Sequence, residues 1–306
     1  LDSFKKIIYM LDEPVAGAAI FPQYFLSKLI SENSIKVALG GQGGDEIFCG
    51  YVRYLVMLIE NCIKEEINGH KRNSHSTGLT LKEIIQNFKL LKGYEPLIKR
   101  FFSNGFFEST PSRYYQMMKR TSGLENILSP DFYEKDDSVK TSFIEEFENI
   151  NSTNVIDSMS IFDMNNHLQS LLHLEDRASM SWSVESRVPF LDHRIVEKVM
   201  MIPANKRFAN GDNKHIFKKL TKNILPKKIH NRKDKKGFPV PINEWFNGEL
   251  KNWVKDILLS KKAAERGIYN TLYLEKILSS HAPFDRSIWG LLSIEFWFQN
   301  FFDKNK

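Results

Sequence analysis

Apolar positions recur along this chain at changing intervals, and each interval predicts an element. From Pro22 to Ile30 they follow one face of a helix, with Pro22 suited to the first turn, where its missing N–H costs nothing. Ile35 to Leu39 is a short β-rich run that predicts a buried strand. Gly40-Gly41-Gln42-Gly43-Gly44 follows at once, and then Phe48, Val52, Leu55, Leu58, Ile59 and Cys62 return at helical spacing. Strand, glycine turn, helix is the order that puts a ligand at the carboxyl end of a parallel strand.

From about Lys64 to Asn151, amphipathic helical stretches alternate with polar loops, and no motif there carries chemistry. Helices resume near Asp157, where Ile161, Met164, Leu168, Leu171 and Leu172 form an apolar stripe. A loop rich in proline and lysine spans Pro226 to Pro241, and helices run from there to the end. Ile288 to Phe302 reads as a buried terminal helix. It holds Glu295, Gln299 and Asn300 and is shorter than the roughly 20 residues of a membrane span. The predicted fold is α/β but predominantly helical. Residues 1–65 form a small parallel-sheet piece, and 66–306 are the helical remainder of the same domain.

Composition narrows the function classes. Two cysteines, Cys49 and Cys62, are too few for a disulfide framework and read as small buried hydrophobes in a reducing cytosol. No basic stretch with an apolar run and a small-residue cleavage site opens the chain. It begins on Leu1 rather than a methionine, so an upstream segment is expected. The net charge of +6 is concentrated between Lys206 and Lys236, where only Asp212 and Asp234 are acidic. Such a stretch attracts polyanions, a nucleoside triphosphate among them. Aromatic interleaving is thin and no nucleic-acid motif appears, so a solvated face is the ordinary reading.

Four segments could carry chemistry. In Leu39-Gly40-Gly41-Gln42-Gly43-Gly44-Asp45-Glu46, close glycines let backbone N–H groups converge on a ligand. A helix starting near Asp45 would favour an anion, and the Asp45 carboxylate beside a phosphate suits Mg²⁺. The plain alternative is a tight turn whose Asp caps a helix. In Leu171-Leu172-His173-Leu174-Glu175-Asp176-Arg177, Glu175 lies on the apolar stripe, where a carboxylate is costly unless paired or functional. Arg177, Arg187 and Lys214 are its available partners, and a structural ion pair stands beside the functional reading. His167 and His173 lack metal-ligand spacing and read as structural.

Ser183-Val184-Glu185-Ser186-Arg187-Val188-Pro189-Phe190-Leu191-Asp192 reads as a tight turn with internal ion pairs. Gly211-Asp212-Asn213-Lys214-His215 precedes a helical pattern of Ile216, Phe217, Leu220 and Ile224. Lys214 at that helix start could reach a phosphate, or could be an ordinary surface lysine.

Taken in order, these segments resemble the asparagine synthetase family. The resemblance rests on Leu11-Asp12-Glu13-Pro14, the run from Lys36 through Glu46, Gly50-Tyr51-Val52-Arg53-Tyr54, and Glu175-Asp176-Arg177-Ala178-Ser179-Met180. It continues through Val184 to Asp192, in which Glu185, Arg187 and Asp192 belong to the motif, and through Asn231 to Pro241 with Trp245-Phe246. It spans nearly the whole chain apart from about 64–150.

The resemblance implies an adenine nucleotide α-hydrolase-like, ATP pyrophosphatase-type parallel sheet with a large helical part. It implies that AMP is transferred from MgATP to the side-chain carboxylate of aspartate, releasing pyrophosphate, and that ammonia then attacks the β-aspartyl-AMP. Asp45 would hold Mg²⁺ and pyrophosphate, Lys214 would balance charge on the phosphates and the tetrahedral intermediate, and Gly40, Gly41, Gly43 and Gly44 would line the nucleotide. Aspartate, ATP and ammonia or glutamine are the implied small-molecule substrates, in the cytoplasm. Neither nucleic acid nor membrane is an implied partner, and a homodimer is the candidate assembly. The family's N-terminal glutaminase domain and its Ser-Gly-Gly-x-Asp-Ser loop are not found within these residues, so this polypeptide alone is expected to be inactive.

Two departures matter. Gln42 stands where family members carry an acidic residue, and its amide has no proton affinity near neutral pH. Glu175 is therefore expected to supply the missing carboxylate, with Gln42 orienting the intermediate. Gly40 stands where a serine is frequent, a loss for which the sequence offers no compensation. Alternatives are an amidotransferase with another acceptor on the same scaffold, or a scaffold that only binds partners. The central expectation is spatial: Asp45, Glu175 and Lys214 should converge on one phosphate-sized cavity.

Overall fold

Helices α1 (Asp2–Leu11) and α2 (Ile20–Glu32) lead into strand β1 (Val37–Leu39), after which the glycine run passes into a single helical turn, α3 (Gly44–Ile47). Next come α4 (Val52–Ile67), α5 (Glu95–Phe102), α6 (Thr110–Met118), α7 (Ser138–Glu148) and α8 (Val155–Phe162). A π-helical segment, Asp163–His167, joins α8 to α9 (Leu168–Met180). Strand β2 (Glu185–Arg187), α10 (His193–Met200), α11 (His215–Thr221), α12 (Lys251–Leu258) and the terminal α13 (Arg286–Phe301) follow, with shorter turns between them. This computed structural model describes residues 2–67, 91, 94–119, 123–133, 138–152, 154–209, 213–232, 237–238, 240–279 and 286–303. The sequence readings at Leu1, Gly211, Asp212, 233–236 and Pro239, with part of the 64–151 stretch, lie outside the described residues.

β1 and β2 pair in parallel, with Val37 opposite Glu185, Ala38 opposite Ser186 and Leu39 opposite Arg187. The ladder extends at both ends: Glu185 N–H donates to the Lys36 carbonyl at 2.8 Å, and Gly40 N–H to the Arg187 carbonyl at 2.7 Å. The fold is thus α/β and mostly helical, with a small parallel sheet.

Two large cores flank this ribbon. One joins α1 and α2 to the C-terminal helices through Ile7, Leu11, Ile20, Leu258, Trp289 and Phe296. The other packs α4 against α6 and α8 through Tyr54, Leu58, Tyr114, Ile156 and Met159. Residues on both sides of position 65 contribute to each core. The terminal helix is buried as expected, and its Glu295 is held by Arg266 at 2.8 Å. No helix among the described residues is long and apolar enough to cross a membrane. Both cysteines are free and buried, and burial pushes the Cys49 thiol up to about 11.

Four local expectations need correction. The strand is not buried: Leu39 is 74% exposed and Ile35 50% exposed, and among the described residues the sheet has two strands with no layer over that face. The helix expected from Asp45 onward is broken after one turn, since Cys49 takes a left-handed φ of 59° before α4 begins. A four-residue helix has too few aligned peptides for the anion-favouring dipole that was expected. Within the Pro226–Pro241 loop, Lys227–His230 forms a helical turn. In the pattern after Lys214, Leu220 and Ile224 face solvent, and only Ile216 and Phe217 pack inward.

Candidate functional site

The glycine run connects the ribbon to the short turn α3, and at Gly40, Gly43 and Gly44 neighbouring side chains stand at or close against the Cβ position. Gly43 has φ of 83°, and a Cβ on it would overlap Leu191 of the Pro189–Leu191 turn. A Cβ on Gly44 would crowd Phe190 at 3.2 Å. The segment after β2 therefore forms the floor of the glycine turn.

Lys214 reaches the same turn from the other side. Phe48 and Phe190 pack on Phe217 of α11, with ring centroids 5.0 and 5.4 Å away, which fixes α11 beside α3. Lys214 caps α11 in a left-handed conformation, φ 57°, an arrangement that costs a non-glycine residue about 1–2 kcal/mol. Its Nζ lies 2.9 Å from Asp45 Oδ1, with both side chains partly exposed. Gly50 closes the back of the pair. Its N–H donates to the Asp45 carbonyl at 2.7 Å, its own carbonyl accepts from Asn213 at 3.0 Å, and a Cβ on it would overlap Asp45 Oδ1 and Lys214 Cε.

Glu175 stands at the opposite end of the run. Its Oε1 accepts a 2.5 Å hydrogen bond from the Ser186 hydroxyl of β2 and sits directly over Gly40, where a Cβ would overlap it. The expected structural ion pair does not form. Arg177 pairs with Asp12 at 2.8 Å, Arg187 with Glu185 at 2.8 Å, and Lys214 with Asp45. The reason is geometric: Arg177 is two positions further along the helix and faces the α1 end, while β2's alternation turns Arg187 away from Ser186's side.

Glu175 and the Asp45–Lys214 pair thus stand at the two ends of one turn that holds four glycines. Gln42 is half-buried in its middle, where Gly44 N–H donates to the Gly41 carbonyl at 3.3 Å. The side chains of Glu185, Arg187 and Asp192 pair with one another or with Arg194. Glu185 and Arg187 form an exposed pair, and Asp192 caps α10 while pairing with Arg194 at 2.6 Å, which holds its carboxyl well below the usual range. His173 accepts its structural role, with Nε2 3.2 Å from the Leu11 carbonyl.

Behind the turn lies a buried polar layer that sequence spacing did not mark. Glu46 is 1% exposed, and Tyr51 donates to its carboxyl at 2.5 Å. Burial raises the Glu46 pKa, opposed by the Tyr51 hydrogen bond. Tyr51 stacks on the Arg53 guanidinium at 3.4 Å and meets the His167 ring at 6.0 Å. Arg53 in turn reaches Asp163 at 2.5 Å, which also accepts from Tyr54 at 2.5 Å and Tyr114 at 2.7 Å. The π-helical segment makes this network by carrying Asp163 into the interior. Such irregularities concentrate at functional sites. Glu46, Tyr51, Arg53 and Tyr54 lie within the motifs, but nothing in the sequence pairs Asp163 with Arg53.

Among the described residues no group of three His, Cys, Asp or Glu side chains could hold a metal ion. Asp45 offers a single partly exposed carboxylate, a donor set that fits Mg²⁺ arriving with triphosphate oxygens.

Residues 1–299 match the family model described as Asparagine synthase. The chain is 29% identical over 304 residues to "Asparagine synthetase [glutamine-hydrolyzing] 1" of Bacillus subtilis (strain 168), covering 97% of this chain and 45% of that protein. It is 26% identical over 299 residues to a "Putative asparagine synthetase [glutamine-hydrolyzing]" of Mycobacterium bovis, covering 95% and 43%. A more distant relative is "Amidase chyE" of Penicillium rubens, 24% identical over 290 residues, covering 86% and 41%. The chain spans less than half the length of these relatives.

Proposed function

The chain belongs to the asparagine synthase family, and from that premise we propose that it carries one wall of an ATP-dependent amide-forming site. The reaction is the conversion of aspartate to asparagine. The aspartate side-chain carboxylate attacks the α-phosphate of ATP, pyrophosphate leaves, and a β-aspartyl-AMP forms. Ammonia then attacks the activated carbonyl, loses a proton, and AMP departs. In the relatives named as glutamine-hydrolysing, the ammonia source is in the name; for this protein glutamine is the proposed donor.

The observation that carries this reading is the arrangement of one cation and two carboxylates around a single glycine turn. Lys214 is a point charge for the leaving phosphates and for the oxyanion of the tetrahedral intermediate, a role worth roughly 10²–10³ in rate. The backbone of Gly40, Gly41, Gly43 and Gly44 lines the nucleotide. Glu175 takes the proton from the attacking ammonia, and Gln42 orients the intermediate by hydrogen bonding. Mg²⁺, held by Asp45 and the phosphates, would neutralise charge as pyrophosphate leaves. The proposed setting is the cytoplasm, and a homodimer the proposed assembly.

The test is product analysis on the full-length protein: aspartate, ATP and ammonia should yield asparagine, AMP and pyrophosphate. Absence of AMP with aspartate under all ammonia sources would overturn the assignment of the acceptor. The 306-residue chain alone, in which the Ser-Gly-Gly-x-Asp-Ser loop is not found, should show no ATP–pyrophosphate exchange. Robust exchange would mean that the phosphate cradle has been misplaced. A second reading, amidation of a different acceptor, is favoured by Gln42 with Glu175 in place of the usual acidic turn residue, and by the likeness to the fungal protein named an amidase. Product formation from other carboxylates, but not from aspartate, would select it.

A further inference from the structure

Gly40 and Glu175 compete for one volume. Glu175 Oε1 lies where a Cβ of residue 40 would be, and Glu175 Cδ is 3.4 Å from that position. The backbone at Gly40 cannot retreat, because its N–H is fastened to the Arg187 carbonyl at 2.7 Å at the end of the β1–β2 ladder. Glu175 is fastened as well, since Ser186, paired with Ala38 on the neighbouring strand, donates to it at 2.5 Å. A serine at position 40 and a glutamate carboxylate in this place exclude each other sterically.

We propose that Gly40 and Ser186 are positioning residues that together seat the Glu175 carboxylate at the head of the glycine turn. Gly40 provides the space and Ser186 the hydrogen bond that selects the inward rotamer. The absence of a side chain at Gly40 is therefore coupled to Glu175, and the seat moves the site's carboxylate from the turn itself, where Gln42 stands, to α9. Among the described residues no cation lies within ion-pair distance of Glu175, and a neutral hydroxyl orients it. The catalytic consequence rests on the amide-forming role of Glu175 proposed above; the seat itself does not.

Two measurements separate the seat from the role. In the 306-residue chain, Gly40→Ala should lower the melting temperature by about 1–2 °C, the scale of swinging a partly exposed carboxylate out of its seat. In a Glu175→Ala background the same substitution should cost less than half as much, because the overlapping group is gone. Equal losses in the two backgrounds would overturn the seat. In the full-length protein, Ser186→Ala should reduce amide formation about tenfold more than it reduces ATP–pyrophosphate exchange, through kcat rather than KM. Ser186→Thr, which keeps the hydroxyl, should recover most of the loss. Equal effects on both half-reactions, or no recovery by threonine, would overturn the positioning role of Ser186. Wild-type amide formation by Glu175→Gln, with the stability coupling intact, would remove the catalytic role and leave the seat standing.

Discussion

Lys214 Nζ lies 2.9 Å from Asp45 Oδ1, although the two residues reach the site from different helices and Lys214 holds a left-handed backbone to do so. A partly exposed pair of this kind adds little stability, while the backbone conformation costs some. Position 214 is therefore built for placement of the charge. Lys214→Gly should leave stability unchanged or raise it by up to about 1 kcal/mol, and should lower kcat/KM for amide formation roughly 10²–10³-fold. Chemical denaturation of the chain and steady-state kinetics of the full-length protein are the paired measurements. A marked stability loss would show that the residue is structural.

Gly50 makes a sharper demand. Any side chain there overlaps both Asp45 Oδ1 and Lys214 Cε, and hydrogen bonds to Asp45 and Asn213 hold its backbone in place. Gly50→Ala should split the pair and weaken nucleotide-dependent activity about as much as Asp45→Ala does. The check is a double variant: Gly50→Ala in an Asp45→Ala background should add less than about threefold, since residues acting as one unit are not additive.

Asp163 is fully buried and accepts from Arg53, Tyr54 and Tyr114. Burial holds both tyrosine hydroxyls far above their ordinary pKa, so they remain donors. Removing one partner of such a group leaves a buried cation uncompensated, at a cost of roughly 3–5 kcal/mol. Asp163→Ala should lose stability on that scale in urea unfolding, while Asp163→Asn, which keeps the acceptor oxygen, should lose less. A cost under about 1 kcal/mol for Asp163→Ala would contradict the network.

Glu46 gives a pH signature. Its pKa is raised in the fold, chiefly by burial, above the ordinary carboxylate value of 4.5. The unfolded chain therefore loses this proton first as pH rises. The group's contribution is fully present below about pH 4.5 and is lost as pH climbs through the folded value. Glu46→Gln keeps an acceptor for Tyr51 and removes the penalty, so the variant should be more stable than wild type at neutral pH. Denaturant midpoints measured from pH 4 to 8, on the order of one reading per unit, should show that advantage shrinking towards the acid end. A constant difference across the range would rule out titration of Glu46 as its source.

Much of this molecule was legible in one dimension. Helical spacing located α2, α4, α9 and the terminal helix, because a side chain's face on a helix depends only on neighbours three and four positions away. The glycine run marked a turn for a similar reason: local backbone freedom is a property of the residues themselves. Burial of β1 was misread, because an apolar strand looks the same in sequence whether or not another layer covers it. The single turn at α3 was missed, since nothing in Phe48-Cys49-Gly50 announces a left-handed Cys49. What tertiary structure alone decided is which charges meet. Sequence offered Glu175 three cations and could not see that Asp12, Glu185 and Asp45 take all three. It also could not see that the free carboxylate then rests on Gly40 under a serine from the neighbouring strand. Pairing of charges is set by distance in space, and between residues far apart in the chain that distance exists only once the strands and helices have packed.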